Sequence, residues 1–300
     1  PIAVFRGTGE NDDLNGVERP VAFALTAQRD GVAEVVHSLA KWKRRKLASL
    51  GCPPGEGIIT DMHALRPDEE LSNIHSAYVD QWDWEKVICR KDRSLVFLYE
   101  TVQDIYSCIR ETQELLSEKY SALPAFLPPH IHVVHAERLR ELHPELSPKE
   151  REDKVCREKG AVFIIGIGGK LKDGKEHDLR APDYDDWSTA TSEDRCGLNG
   201  DILVWNPELG RAFEISSMGI RVDREALLHQ LRLLGLERRL ELPWHRSLVE
   251  GKLPLTIGGG IGQSRLCMLL LRKKHIGEVQ PGLWPDTVIE QCKAKNIPLL

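Results

Sequence analysis

The chain has 300 residues, 41% hydrophobic and 29% charged, with 24 Gly and 17 Pro, a composition that excludes a disordered tract, a collagen repeat and a small disulfide scaffold. Lys and Arg number 41 against 46 Asp and Glu, a formal net charge of −5, whereas a domain devoted to nucleic acid is usually distinctly basic; no nucleic-acid partner is expected. The longest apolar run, around Ala161 to Ile167, is far shorter than the roughly 20 residues a membrane helix needs, so no membrane partner is expected either.

Seven cysteines without a CxxC or any short pairing predict reduced thiols in a cytoplasmic protein, not a zinc site or a disulfide framework. No repeat, low-complexity tract or single linker divides the chain, which reads as one domain over residues 1–300. It begins at Pro1 without Met or signal peptide and reads as the ordered part of something longer.

In chain order, EVVHSLAKWKRRK (Glu34 to Lys46) sets His37, Lys41 and Lys43 around a helix start, a basic set of the kind that usually lies on the surface. ALRPDEELSNIHSAYVDQWDWE (64–85) holds an arginine after an apolar pair, a polar loop, and a strand in which Gln81, Asp83 and Glu85 alternate with Trp82 and Trp84. Alternation puts the polar side chains on one face. If the tryptophans are core, Gln81 and Asp83 look into whatever the other face holds; otherwise that face is solvated. Helical spacing of apolar residues from Leu95 to Leu116 predicts a long amphipathic helix within Asp92 to Ser121. His130, His132 and His135 are split between strand faces by their spacing and read as structural rather than metal-binding.

Ser147-Pro148-Lys149-Glu150 is a capping box with Pro in the first helical position, and Gly160 can end the helix. AVFIIGIGG then reads as a buried strand. Its GIGGK (Gly166 to Lys170) fails as a P-loop, because Leu171 stands where Ser or Thr would meet magnesium. DYDDW (Asp183 to Trp187) coats a loop with charge unless that loop crosses a basic or amine-binding pocket.

DILVWN (Asp201 to Asn206) and RAFEIS (Arg211 to Ser216) form a hairpin across a Pro-Glu-Leu-Gly turn. Asp201 and Glu214 then lie opposite each other or one diagonal apart, a pair that calls for a cation between them, unless the register sends one to solvent. Asp223 caps the next helix, TIGGGIGQSR (Thr256 to Arg265) brings glycine-rich backbone and an arginine to a helix start, and Arg265 to Arg272 is a buried helix. Hairpin strands with helices outside them give an α+β fold, a mostly antiparallel sheet flanked by helices.

GENDDLNG (Gly9 to Gly16), VVHSLAKWKR, ALRPDE, HSAYVDQWDWE, FIIGIGGKL, RAPDYDDWST (Arg180 to Thr189), GLNGDILVWNP, FEISSMGIRVD and TIGGGIGQSR together resemble the ammonia-dependent asparagine synthetase A family of aspartate–ammonia ligases, across essentially the whole chain. That family resembles the class II aminoacyl-tRNA synthetase catalytic core. ALR…HSAYVDQWDWE then looks like its motif 2 and GGGIGQSR like its motif 3, with the dimer-forming motif 1 expected to begin before or at Pro1.

The resemblance implies a cytoplasmic homodimer that uses ATP and Mg2+ to join L-aspartate and ammonia through a β-aspartyl adenylate, releasing AMP and pyrophosphate. Whether glutamine also serves as amide donor stays open, and an inactive or tRNA-related paralogue is the alternative. By the same resemblance Arg66 and Arg265 match the arginines on the α-phosphate and the distal phosphates, and Gln81 and Asp83 the residues at the substrate's reacting end and amino group. Asp12 matches an acid over the substrate, where it could deprotonate ammonium. Ser38, Lys43, Ser217 and Arg221 are carried over to the amino acid. His75, Ser76, Val79, Asp185, Asp201 and Arg265 fall to the nucleotide, and Asp201 and Glu214 to the metal.

Overall fold

The computed structural model describes residues 2–12, 14 and 18–300, with the backbone alone at residues 28–30. Strands β1 (Ala3–Phe5), β2 (Ala22–Leu25) and β3 (Gln28–Val35) form a small antiparallel sheet in the order β1-β3-β2. Helix α1 (Ala40–Leu50) leads to a seven-stranded sheet of β4 (Gly57–Leu65), β5 (Tyr78–Val87), β6 (His132–His135), β7 (Ala161–Ile165), β8 (Asn199–Asn206), β9 (Arg211–Ile220) and β10 (Thr256–Gly262), in the order β4-β5-β10-β9-β8-β7-β6. Only β6 and β7 pair in parallel; the other neighbours are antiparallel, as the α+β reading expected.

The capping signals at Ser147, Gly160 and Asp223 work as the sequence predicts, and the structure adds a cap at Ser94. Ser94 caps α2 (Leu95–Lys119) by accepting from the Phe97 amide. After the short α3 (Ala136–Leu142), Ser147 and Glu150 close a full capping box on α4 (Pro148–Lys159), which ends at Gly160. Asp223 accepts from the Ala226 amide to start α5 (Arg224–Leu233). The remaining helices are α6 (Pro243–Val249), α7 (Gln263–Leu270) and α8 (Asp286–Ala294). Among the described residues no helix is long and apolar enough to cross a membrane.

Both faces of the sheet are covered at its β7 to β9 end, so all five residues of β7 are buried. Phe163, Ile165, Ile202, Val204 and Phe213 pack on one face with Leu98, Val102, Tyr106 and Ile109 of α2. Val162, Ile164, Leu203 and Ala212 pack on the other with Leu139, Val155 and Cys156 of α3 and α4. Helix α1 covers that second face beside β4 and β5, where Leu39, Met62 and Ala64 share a small core.

Two expectations need correcting. The glycine-rich approach of TIGGGIG is a central strand, β10, paired on both sides. Its glycines keep the sheet surface low: a Cβ on Gly260 would sit 2.4 Å from Oε1 of Gln81. The tryptophans are not a core pair, since Trp82 is 41% exposed and Trp84 only half-buried, yet the opposite face of β5 does look into the cavity described next.

Candidate active site

A cavity of about 430 Å³ lies on the sheet face that carries Gln81, Asp83, Glu214 and Ser217. Its floor follows from register. Asp83 of β5, Gly260 of β10, Ser217 of β9 and Asp201 of β8 stand in one row across four strands. A bulge after Ile202 then places Glu214 opposite Leu203, so Asp201 and Glu214 lie one diagonal apart on the same face, as the hairpin predicted.

One end of the cavity is backed by a saturated ion network. Asp83 accepts from Lys43 Nζ at 2.5 Å and from the Leu39 amide at 3.0 Å. Arg221 donates to Glu85 through Nε and Nη2, at 3.0 to 3.2 Å, and to Asp185 through Nη1. Burial pushes the Glu85 carboxyl up, but Arg221 and Lys43 outweigh it and hold it below the usual range. The Lys43 ammonium is lowered by burial, with Asp83 and Glu85 resisting. Lys41, Lys43 and Arg44, expected on the surface, are therefore interior charges. Each has a partner within reach: Asp183 for Lys41, Asp83 for Lys43, and the Val222 and Pro254 carbonyls for Arg44.

The DYDDW segment is likewise inside, with Asp183, Asp185 and Asp186 at 0–1% exposure. The three acids hold different partners: Asp183 the cations Lys41 and Arg239 and the His245 ring, Asp185 Arg221, and Asp186 Arg93. An unpaired interior carboxylate is costly, so these pairings, and not a solvated loop, explain the run. Tyr184, between them, lines the cavity beneath the Arg221 guanidinium.

The other end is open to anions. Among the described residues the one ion pair of Arg66 is with Glu69, at 3.8 Å, and its buried Nε meets no acceptor. Arg265 reaches the Glu214 carbonyl oxygen at 3.3 Å and the carboxylate at 3.8 Å. Helix α7, which carries Arg265, is tied to β5 by Ser264, whose amide and hydroxyl both donate to Asp80. Burial raises the Glu214 carboxyl, but Arg265, Arg180 and Lys149 together bring it below the usual range. His75 is pushed down to about 4 by burial and then by Arg265, so its imidazole is neutral at neutral pH. Ser76 and Val79 complete this wall.

A third wall comes from the N-terminal segment, where Asp12 is 2% exposed yet lines the cavity. Its backbone is fixed by His37 Nδ1 on its carbonyl oxygen at 2.9 Å and by the Asn11 side chain on its amide at 3.0 Å.

The structure thus gathers Asp12, Ser38, Arg66, His75, Ser76, Val79, Gln81, Asp83, Asp185, Glu214, Ser217, Arg221 and Arg265 around one space. Lys43 and Asp201 are outside it. Lys43 stands behind Asp83, so the expected substrate contact becomes support for another residue. Asp185 sits with Arg221 beside the Thr256 end of β10, at the far end of that strand from Arg265. Asp201 is covered by Arg180, which binds its Oδ1 and also donates to Ser217 Oγ at 2.9 Å. Arg180, Tyr184 and Glu18 line the cavity and went unrecognised; the signal for Arg180 was an isolated arginine just before three acids.

Among the described residues no group of three or more Asp, Glu, His or Cys side chains is arranged to hold a metal. Magnesium, however, commonly takes one or two protein carboxylates and completes its shell with substrate phosphates and water. Glu214 at the cavity edge, with Asp201 one diagonal behind it, fits that mode.

A profile of the aspartate–ammonia ligase family matches residues 1–296. Aspartate–ammonia ligases of Bacteroides fragilis and Bacteroides thetaiotaomicron are 55% and 54% identical to the chain over 300 residues, covering all of it and 87% of each relative. Among solved structures, asparaginyl-tRNA synthetase from Pyrococcus horikoshii complexed with asparaginyl-adenylate superposes with a TM-score of 0.67 at 18% identity, over 95% of this chain and 63% of that one. The Entamoeba histolytica asparaginyl-tRNA synthetase in complex with asparaginyl-adenylate gives 0.61 at 16%, over 87% and 58%. The fold is therefore that of the class II aminoacyl-tRNA synthetase core, and the match along residues 1–296, with relatives more than half identical over its whole length, makes this chain a member of the aspartate–ammonia ligase family.

Proposed function

We propose that the chain makes L-asparagine from L-aspartate, ammonia and ATP through a β-aspartyl adenylate, releasing AMP and pyrophosphate. The observation that carries the reading is the division of one cavity into an end with two under-partnered arginines, Arg66 and Arg265, and an end backed by fixed, paired charges. The first suits a polyphosphate, the second a small zwitterion.

Arg66 spans the α-phosphate and the reacting carboxylate, where its unused Nε supports a donor role, and Gln81 offers its amide to the same carboxylate. Arg265 neutralises charge that builds up as pyrophosphate leaves, a preorganised electrostatic effect. Ser38, Asp83, Ser217 and Arg221 orient the amino and carboxylate groups of aspartate, with Lys43 and Asp185 holding Asp83 and Arg221 in place. His75, Ser76 and Val79 flank the nucleotide. Asp12 attracts ammonium and takes a proton, leaving the neutral amine to attack the acyl carbon. Glu214, with Asp201 behind it, would hold magnesium, which would supply Lewis-acid neutralisation at the phosphates.

A homodimer, a cytoplasmic setting, a single catalytic domain and direct use of ammonia go with this reading and rest on the family. Aspartate-dependent exchange of pyrophosphate into ATP, in the absence of ammonia, tests it: exchange is expected, and none would remove the adenylate.

A further inference from the structure

The hairpin's two carboxylates predicted a cation between them, and the structure sets one from the chain itself against Asp201. Arg180 Nη2 donates to Asp201 Oδ1 and to Ser217 Oγ. Burial disfavours its charge, yet Asp201, Tyr184, Glu214 and Asp185 together hold the guanidinium firmly protonated. A guanidinium carries five N–H donors, and most of these are poorly used. Nη1 reaches only the neighbouring Leu179 carbonyl oxygen, at 3.2 Å, and the buried Nε meets no acceptor among the described residues. The backbone beneath is fixed: a Cβ on Gly168, whose φ is +108°, would come within 2.7 Å of Arg180 Cβ and 2.8 Å of Trp187 Cδ1. The glycines of GIGGK, which fail as a phosphate loop, make room for this segment.

We infer that Arg180 occupies, in the nucleotide-free chain, the place against Asp201, one diagonal from Glu214, that a divalent cation would take, and that it gives way to one by carrying its guanidinium to a phosphate oxygen of the nucleotide. The choice of a phosphate as the receiving anion rests on the ligase reading; the placeholder role does not. One nitrogen, Nη2, makes both contacts to Asp201 and Ser217, so release costs those two hydrogen bonds and the long one from Nη1 to Leu179, and the side chain already lines the cavity that Arg66 and Arg265 face. A metal entering without nucleotide would meet a resident positive charge. One that enters with phosphates brings the anion that receives it. Arg180 thereby makes metal binding depend on nucleotide, a coupling that carboxylates alone would not provide.

Mn2+ titration of the intact chain, followed by electron paramagnetic resonance with and without a non-hydrolysable ATP analogue, tests this. Wild type should bind Mn2+ weakly alone and tightly with the analogue. Arg180→Ala and the milder Arg180→Gln should bind Mn2+ alone about ten-fold more tightly or better, because the buried Asp201 carboxylate loses its paired cation, and the gain from the analogue should shrink. Mn2+ should also raise the Tm of both variants and leave that of wild type unchanged, which keeps the test valid if either variant is unstable. Adding Asp201→Asn to Arg180→Ala should return the affinity to wild-type weakness. Variants that bind Mn2+ alone no better than wild type would overturn the inference, as would tight binding that survives Asp201→Asn. No turnover is required, so a chain that made no asparagine would overturn the ligase reading without touching this result.

Discussion

The ammonium of Lys43 lies 2.5 Å from Asp83 Oδ1 and 2.7 Å from the Trp84 carbonyl oxygen, with the lysine side chain wholly buried. The pair joins α1 to β5 directly behind the cavity. It fixes the position of the Asp83 carboxylate, whose other oxygen accepts from the Leu39 amide.

Lys43→Met would leave Asp83 without its nearest cation and Glu85 with Arg221 alone. Breaking a buried pair by removing one partner costs about 3–5 kcal/mol. Urea unfolding should show that loss, and the surviving folded enzyme should have a raised KM for aspartate. A loss below about 1 kcal/mol, the value of a surface pair, would contradict the interior role.

Arg265→Ala should behave in the opposite way. Its guanidinium has one long hydrogen bond and a distant carboxylate, so the melting temperature should hardly move. Pyrophosphate exchange should fall by about 10²–10³-fold, the loss typical of one preorganised donor. Exchange near the wild-type rate would remove Arg265 from the phosphates.

Asp12 is proposed to act on the amine and not on the phosphates. Asp12→Asn should therefore slow asparagine formation from preformed adenylate about ten-fold more than it slows adenylate formation, within the range for a general base. Rapid-quench single turnovers separate the two steps, and equal losses in both would end the ammonia role.

His75 gives a signed pH dependence. Its folded pKa is near 4 against an ordinary 6.5, so between those values the unfolded chain binds a proton that the folded chain refuses. Stability should fall as pH drops from 6.5 towards 4 and be level in this respect above 6.5. His75→Gln should flatten that slope in a series of urea melts; an unchanged slope would show that the ring is freely protonated in the folded state.

Legibility followed the range of the signal. Caps and turns are local, and Ser147, Glu150, Gly160 and Asp223 could be read directly from their neighbours. The Asp201 and Glu214 relationship also came through, because hairpin parity fixes it to within a bulge. What failed was anything that needed a partner far along the chain. Lys41 meets Asp183 from 142 residues away, so the first looked like surface charge and the second like a loop coating, and nothing local tied Arg221 to Glu85, 136 residues apart. Arg180 was missed for the same reason: the demand for a cation was legible at Asp201, but not the residue that would meet it. The roles of Arg66 and Arg265 came from the resemblance, and their under-partnered guanidinium groups supply the physical support.

Transfer of 18O from aspartate labelled in its β-carboxylate tests the central claim most directly. With ATP and ammonia, the account predicts asparagine and AMP, the AMP carrying one labelled oxygen because the carboxylate oxygen leaves with the α-phosphate. Label in orthophosphate with ADP as the nucleotide product, or no asparagine at all, would contradict it.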